Sequence, residues 1–329
     1  MKNKYLYYAK GENTTVLFPS MCNANCGFCF WNRNTQITKS FDSYFKSLKK
    51  SLDSINVTCV SISGGEPTML KHDNVVKILK LLSTKASKIV LNTNGFKLYE
   101  LLSREDINNK LINFINISRH AIKEEDNQNI FNTSTVPTAS RLKAIIALAN
   151  EKGIEVNCNY VFQQQDKIDI LSLTDFCKQV GFSSLSLRQD IFQGLEISES
   201  EKELKSQGNK CLSESSCPVC GQNIYYINGL TTIFKYGVME TAEYFPRGMV
   251  YENIIHQNGE VSHYWGKIET EDFSESIDMS DIIEEGRHLY ACGSSCGGRI
   301  ETPSCGSGGC GRGYSFIVNN LNKENIINY

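Results

Sequence analysis

No stretch of this chain approaches the ~18 consecutive apolar residues that a membrane-crossing helix needs, so no helical span is expected. The first ten residues carry lysines but neither an apolar core nor a small-residue cleavage site, so no secretory signal is expected and the cytoplasm is the expected compartment. Charge of one sign is also lacking. Lys and Arg number 34 against 36 Asp and Glu, a formal net charge of −2. That balance provides no basic field for gathering nucleic acid and disfavours an RNA-modifying role. No repeat at solenoid spacing occurs. What is present is the composition of a soluble globular protein, 40% hydrophobic and 10% aromatic. The 329 residues suffice for one large α/β domain with an appendage.

From residue 14 to about 188, short runs rich in Val, Ile, Leu and Phe alternate with segments carrying apolar residues at helical spacing. Strands are expected at 14–19, 57–63, 88–91, 114–118, 155–162 and 185–187. Helices are expected at 41–55, 75–83, 97–103, 139–152 and 173–180. Alternating units of this size imply a parallel sheet with right-handed crossovers. About six units are too few to close an eight-fold barrel, so the expected fold is a partial, TIM-like (β/α)6 barrel. The pattern changes after residue 197. Residues 198–208 are polar and read as a linker or a solvated helix end. Two hairpins then follow at 223–235 and 249–265, with Asn228-Gly229 and Asn258-Gly259 at their turns. The division expected is a core at 1–197 and a small β-rich, cysteine-rich extension at 198–329.

Thirteen cysteines are many for a reducing compartment, where clustered thiols more often bind metal or do redox work than form disulfides. Cys59, Cys158 and Cys177 sit alone in apolar surroundings and read as buried core thiols. Cys22, Cys26 and Cys29 are different, falling within eight residues just after the first expected strand. Three thiolates at that spacing can grip three irons of a cubane cluster and leave the fourth without a protein ligand. Zinc is the ordinary alternative, but it usually takes four ligands, often from paired Cys-x2-Cys units.

Cys22-x3-Cys26-x2-Cys29, with aromatic Phe28 before the last cysteine, resembles the signature of the radical S-adenosylmethionine (SAM) superfamily. Ser63-Gly64-Gly65-Glu66-Pro67, ending the second strand, is similar to the Gly-Gly-Glu motif that binds the methionine amino group in that family. The residues agree: glycines admit a close ligand and Glu66 offers acceptors to an ammonium. Thr93-Asn94-Gly95, ending the third strand, resembles a Thr-Asn-Gly element lining the SAM pocket, and an ordinary turn fits it equally. At the fourth strand's end Ser118 is a candidate for the SAM ribose or carboxylate, and Arg119 for the carboxylate or for capping a loop. His120 could serve substrate or proton, although a lone histidine is more often structural. Asn159 and Arg188 are candidates by position alone. The resemblance covers residues 14–190. It implies a [4Fe–4S] cluster with SAM at its open iron, an electron donor such as flavodoxin or ferredoxin, and reductive cleavage of SAM. The 5′-deoxyadenosyl radical so formed takes hydrogen from a peptide or small molecule. Phe28, Phe30 and Trp31 are candidates for a dry wall around that chemistry.

Seven further cysteines, Cys211, Cys217, Cys220, Cys292, Cys296, Cys305 and Cys310, suggest a second metal, a [4Fe–4S] cluster or zinc. They resemble the extensions of peptide-modifying radical SAM enzymes or of the molybdenum-cofactor GTP cyclase. They lack the peptide-modifying group's Cys-x2-Cys-x5-Cys-x3-Cys run, and no winged peptide-binding domain precedes Cys22. A cysteine donating hydrogen to a substrate radical is another use for them. Two alternatives stand beside the peptide or small-molecule enzyme: a nucleotide- or cofactor-biosynthetic radical SAM enzyme, and a non-catalytic iron–sulfur or zinc protein that recognises a partner.

Overall fold

The computed structural model describes residues 13–29, 40–55, 57–162, 169–188, 198–211, 213–214, 222–235 and 253–262. Six βα units run in order. Strand β1 (Asn13–Phe18) precedes helix α1 (Phe41–Ser54), β2 (Cys59–Gly64) precedes α2 (His72–Ser83), and β3 (Lys88–Thr93) precedes the short α3 (Leu98–Leu102). Then come β4 (Phe114–Ser118), α4 (Glu124–Phe131), α5 (Ala139–Glu151), β5 (Glu155–Val161), α6 (Ile170–Val180) and β6 (Ser184–Arg188). Strands β1 to β6 are neighbours in chain order and all parallel. The arrangement is the expected open, TIM-like partial barrel.

Local chemistry explains the helices. Ser40 caps α1 by accepting from Ser43 N at 3.3 Å, and Tyr44, Leu48 and Leu52 recur every fourth residue to bury one stripe. Asp169 caps α6, which ends where Gly181 takes φ +104. Helix α4 was not among the expected elements, because among its eight residues only Ile130 and Phe131 are apolar. It buries Asn127 and Phe131 and ends at Asn132 in the left-handed conformation.

Strand alternation separates two environments. Val60, Ile62, Ile89, Leu91, Ile115, Ile117, Val156, Leu185 and Leu187 join the core shared with the helices. The opposite face is polar and bonded across the strands. Asn92 donates to Ser61 Oγ at 2.8 Å, Asn116 to Asn92 Oδ1 at 2.9 Å, and Asn157 to Asn116 Oδ1 at 3.0 Å. Ser184 closes this ladder by donating to Asn157 Oδ1 at 2.8 Å. Each polar group is satisfied by the next, as burial demands.

Residues 198–206, expected as linker or helix end, form helix α7 (Ser198–Ser206), which buries Glu201 and Leu204. Glu201 accepts from Asn223 Nδ2 at 2.9 Å and from the Tyr225 hydroxyl. Strand β7 (Ser213–Glu214) pairs with β8 (Gln222–Ile227), and β8 forms the first expected hairpin with β9 (Leu230–Lys235). That hairpin joins the sheet, since β9 lies parallel to β6. On the opposite edge β10 (Asn253–Ile255) lies parallel to β1, with β11 (Val261–Ser262) antiparallel outside it. Among the described residues, no helix is long and apolar enough to cross a membrane.

Candidate active site at the mouth of the sheet

The chain leaves β1 into the loop that carries the three cysteines, and this loop is docked by its other residues. Asn25 N donates to Phe131 O at 2.9 Å, and Ala24 packs on Phe131 and Val136 with Cys22 and Cys26 against them. Asn23 donates to Thr135 Oγ1 at 2.8 Å and accepts from Asn94 Nδ2 at 2.8 Å. Cys29 N closes a turn on Cys26 O at 3.0 Å. Phe28 meets His120 edge-on, with centroids 4.8 Å apart.

Burial pushes the Cys22 thiol up to about 11, against the pull of the Ala24 N–H and with a further push from Glu66 and Cys29. Burial, then Cys29 and Cys22, pushes Cys26 up to about 12. Bare thiols here hold their protons at neutral pH, and a bound metal is what would draw thiolates into such a place. The three sulfurs lie close enough to influence one another's charge. Among the described residues, however, no three His, Cys, Asp or Glu side chains converge tightly enough for a single ion. A cubane asks for the looser arrangement, because each cysteine binds its own iron. The residues present fit such a cluster.

The Gly-Gly-Glu loop after β2 locks onto the cysteine loop. Glu66 N donates to Met21 O at 2.9 Å. A Cβ at Gly65 would stand 2.6 Å from the Met21 carbonyl oxygen and closer still to that of Ser20, so only glycine allows this approach. Gly64 takes φ +127, and a Cβ there would meet Phe18 backbone at 2.9 Å. The Glu66 carboxylate, the expected acceptor for an ammonium, is turned into the protein. It is 1% exposed and is taken up by the protein. Its Oε1 accepts from Thr68 N at 3.0 Å, Thr68 Oγ1 at 2.7 Å and Thr93 Oγ1 at 2.6 Å, while Oε2 accepts from Asn94 N at 2.7 Å. Burial raises its pKa despite these donors. Glu66 is thus a clasp between the second and third strand ends, with three of its bonds on Oε1 and one on Oε2.

Thr93 and Asn94 are buried and serve the same clasp, and Asn94 also turns toward the cysteine loop. Ser118 ends β4 on the polar face, half-buried and in register with Asn159 of β5. Arg119 points the other way. Alternation turns it to the helix side, where it donates to Ala121 O and Ile122 O at 2.7 Å and to Pro137 O at 3.3 Å. It also pairs with Glu124 at 2.9 Å and lies over the Phe176 ring. Its role is the loop-capping one of the two expected, since its guanidinium is committed away from a SAM carboxylate. His120 is buried between Phe28 and Phe131, and its Nδ1 accepts from Val161 N at 3.0 Å. Burial, then Arg119, pushes it down to about 3, so it is a neutral brace. Arg188 ends β6, and its register partner on β9 is Lys235.

Sequence reasoning missed Asn23, Thr68 and the Phe131–Val136 segment as supports of the two loops. Their signal was proximity alone: Asn23 lies inside the cysteine motif and Thr68 two residues past Glu66. Cys211 packs against the core with its thiol beside the Tyr225 hydroxyl. Cys217, Cys220, Cys292, Cys296, Cys305, Cys310, Phe30 and Trp31 lie outside the described residues.

Comparison with known proteins bears on this geometry. The structure is similar to that of Streptococcus suis SuiB, with a TM-score of 0.51 and 19% identity, covering 83% of this chain and 65% of SuiB. The structure of SuiB bound to its precursor peptide SuiA aligns with a TM-score of 0.50 and 18% identity over 96% of this chain and 74% of that one. These likenesses speak to the fold. A Methanocaldococcus jannaschii protein, provisionally named a glycyl-radical enzyme activating enzyme, is 26% identical over 86 residues, 26% of this chain and 33% of its own. The chain thus matches a third of that relative and somewhat under two thirds of free SuiB. Residues 16–177 match the family model described as the radical SAM superfamily. That match begins inside β1 and ends inside α6, spanning both interlocked loops, and the chain belongs to the radical SAM superfamily.

Proposed function

We propose that this radical SAM enzyme holds a [4Fe–4S] cluster on Cys22, Cys26 and Cys29 and uses it on a polypeptide substrate. Membership of the superfamily brings a [4Fe–4S] cluster, SAM and SAM-dependent radical chemistry. When bound, the cluster supplies the electron that cleaves SAM to methionine and a 5′-deoxyadenosyl radical, which abstracts hydrogen from substrate. The chain's own residues position and enclose. Gly64 and Gly65 keep the second loop against the first, Glu66 fastens both to Thr93 and Asn94, and Phe28, braced by His120, covers one side of the cysteine turn. Ser118 and Asn159, on the polar face, are the side chains we assign to SAM or substrate.

The observation that carries this reading is the interlock itself. Two motifs more than thirty residues apart meet backbone to backbone through Glu66 N and Met21 O. A polypeptide is favoured over a small molecule because SuiB binds a precursor peptide and the archaeal relative is named for activating an enzyme. The C-terminal cysteines, in this reading, carry a second cluster or zinc.

The test is anaerobic reconstitution of the full chain, iron and sulfide counting, and a 5′-deoxyadenosine assay with dithionite. Four irons or more and SAM cleavage are expected. Changing Cys22, Cys26 and Cys29 together to Ala should abolish 5′-deoxyadenosine, and continued production would sink the assignment.

A further inference from the structure

Asn94 follows β3 and is 7% exposed, and its side chain is committed on every side. Its Oδ1 accepts from Phe96 N at 2.9 Å, closing a tight turn. Its Nδ2 donates to Asn23 Oδ1 at 2.8 Å and stands 3.9 Å from Cys22 Sγ. The Ala24 N–H, 3.4 Å from the same sulfur, is a second donor. Asn94 N is meanwhile tied to Glu66, so the amide is aimed by backbone and side chain together. An N–H facing a cluster thiolate draws charge off the sulfur and favours the reduced, more negative cluster over the oxidised one. Near-complete burial keeps water from substituting for that donor.

Resting on the cluster assignment proposed above, we infer that Asn94 is a positioning residue that sets the electron affinity of the cluster through its amide contact with Cys22. Its side chain serves the cysteine loop, where the sequence resemblance had it lining the SAM pocket. The amide donor raises the reduction potential, easing entry of the electron on which SAM cleavage depends. Asn23 holds the amide in place from its other side.

Two substitutions separate the donor from the turn. Asn94→Ser keeps an oxygen for the Phe96 N–H and removes the amide N–H, leaving only a hydroxyl on a side chain one bond shorter. Asn94→Asp keeps the shape and sets a carboxylate oxygen where the donor stood. Asn150→Ser, the same exchange at an exposed position of α5, is the control and leaves the donor and its neighbours untouched. Each full-length protein is reconstituted anaerobically, its iron counted, and its cluster titrated potentiometrically by electron paramagnetic resonance without SAM. At the wild-type midpoint, the ratio of reduced to oxidised cluster should fall about tenfold in Asn94→Ser, equivalent to 59 mV for one electron. It should fall further in Asn94→Asp and stay within twofold in Asn150→Ser. Fully loaded Asn94 variants that titrate with the wild type overturn the inference. So does failure of both variants to retain a cluster, because Asn94 would then merely hold the loop. A wild-type protein that assembles no cluster sinks the cysteine assignment and this inference with it, whereas a loaded wild type with unshifted variants sinks this one alone.

Discussion

His120 illustrates how a single side chain in this protein is fixed by what surrounds it. Its ring lies between Phe28 and Phe131, its Nδ1 takes the Val161 N–H, and its backbone N–H donates to Asn127 Oδ1 at 2.9 Å. Protonation would bury a charge beside Arg119 and end the Nδ1 hydrogen bond, which is why the group is pushed down to about 3. The sign of the linkage follows. With a folded pKa below the unfolded value of about 6.5, the unfolded chain binds the proton first, so stability is full above that value and is lost as pH falls toward 3. At pH 5 the loss from this one residue is about 2 kcal/mol. Denaturant titrations of the wild type and of His120→Gln at pH 7 and pH 5 measure it: the wild type should lose about 2 kcal/mol more than the variant over that interval. Equal losses would mean that His120 is already charged in the folded state.

At the scale of elements, the segment from β4 to α5 decides how firmly the cysteine loop is seated. Arg119 gathers that segment by bonding Ala121, Ile122, Pro137 and Glu124, and Glu124 in turn accepts from Ala139 N at 2.7 Å at the start of α5. Phe131 and Val136, within the segment so gathered, form the pad on which Ala24 rests. Arg119→Met keeps much of the side chain's bulk and removes every donor, leaving carbonyls unpaired at a cost of about 3 kcal/mol. Chemical denaturation should show that loss, while SAM affinity of the folded protein stays within threefold. A tenfold fall in affinity at unchanged stability would return Arg119 to the role of a SAM carboxylate partner. Helix α4 is the element least visible in the sequence, because Glu124, Glu125, Asp126 and Asn127 lead it and only one end is apolar. Its worth lies in contacts made outside itself: Glu124 to Arg119 and Ala139, Asn127 to the His120 backbone and Phe131 to the cysteine loop. No periodicity within eight residues can report such contacts.

Across the whole molecule, the β-rich segments beyond residue 197 build onto the two edges of the core sheet. Strand β9 pairs with β6 over Ser184–Arg188, and β10 covers the free side of β1. An uncovered parallel edge is a row of unpaired N–H and C=O groups that invites association between chains. A protein ended after residue 197 should therefore elute from size exclusion as soluble aggregate, with little monomer, under conditions where the full chain does not. A monodisperse, cooperatively unfolding fragment would establish residue 197 as a true folding boundary.

Strand and helix periodicity and the spacing of Cys22, Cys26 and Cys29 were legible along the chain because they are local: side-chain alternation and loop length need no partner. The same holds for the placing of both motifs at strand ends. What Glu66, Arg119 and Asn94 do was settled only in three dimensions. A carboxylate, a guanidinium and an amide can each face a ligand or the protein equally well by chemistry. Which they face depends on strand register and on partners brought from distant segments, such as Thr93 donating to Glu66 and Asn23 accepting from Asn94. Tertiary structure turned those three inward and left the backbone of two interlocked loops at the mouth of the sheet.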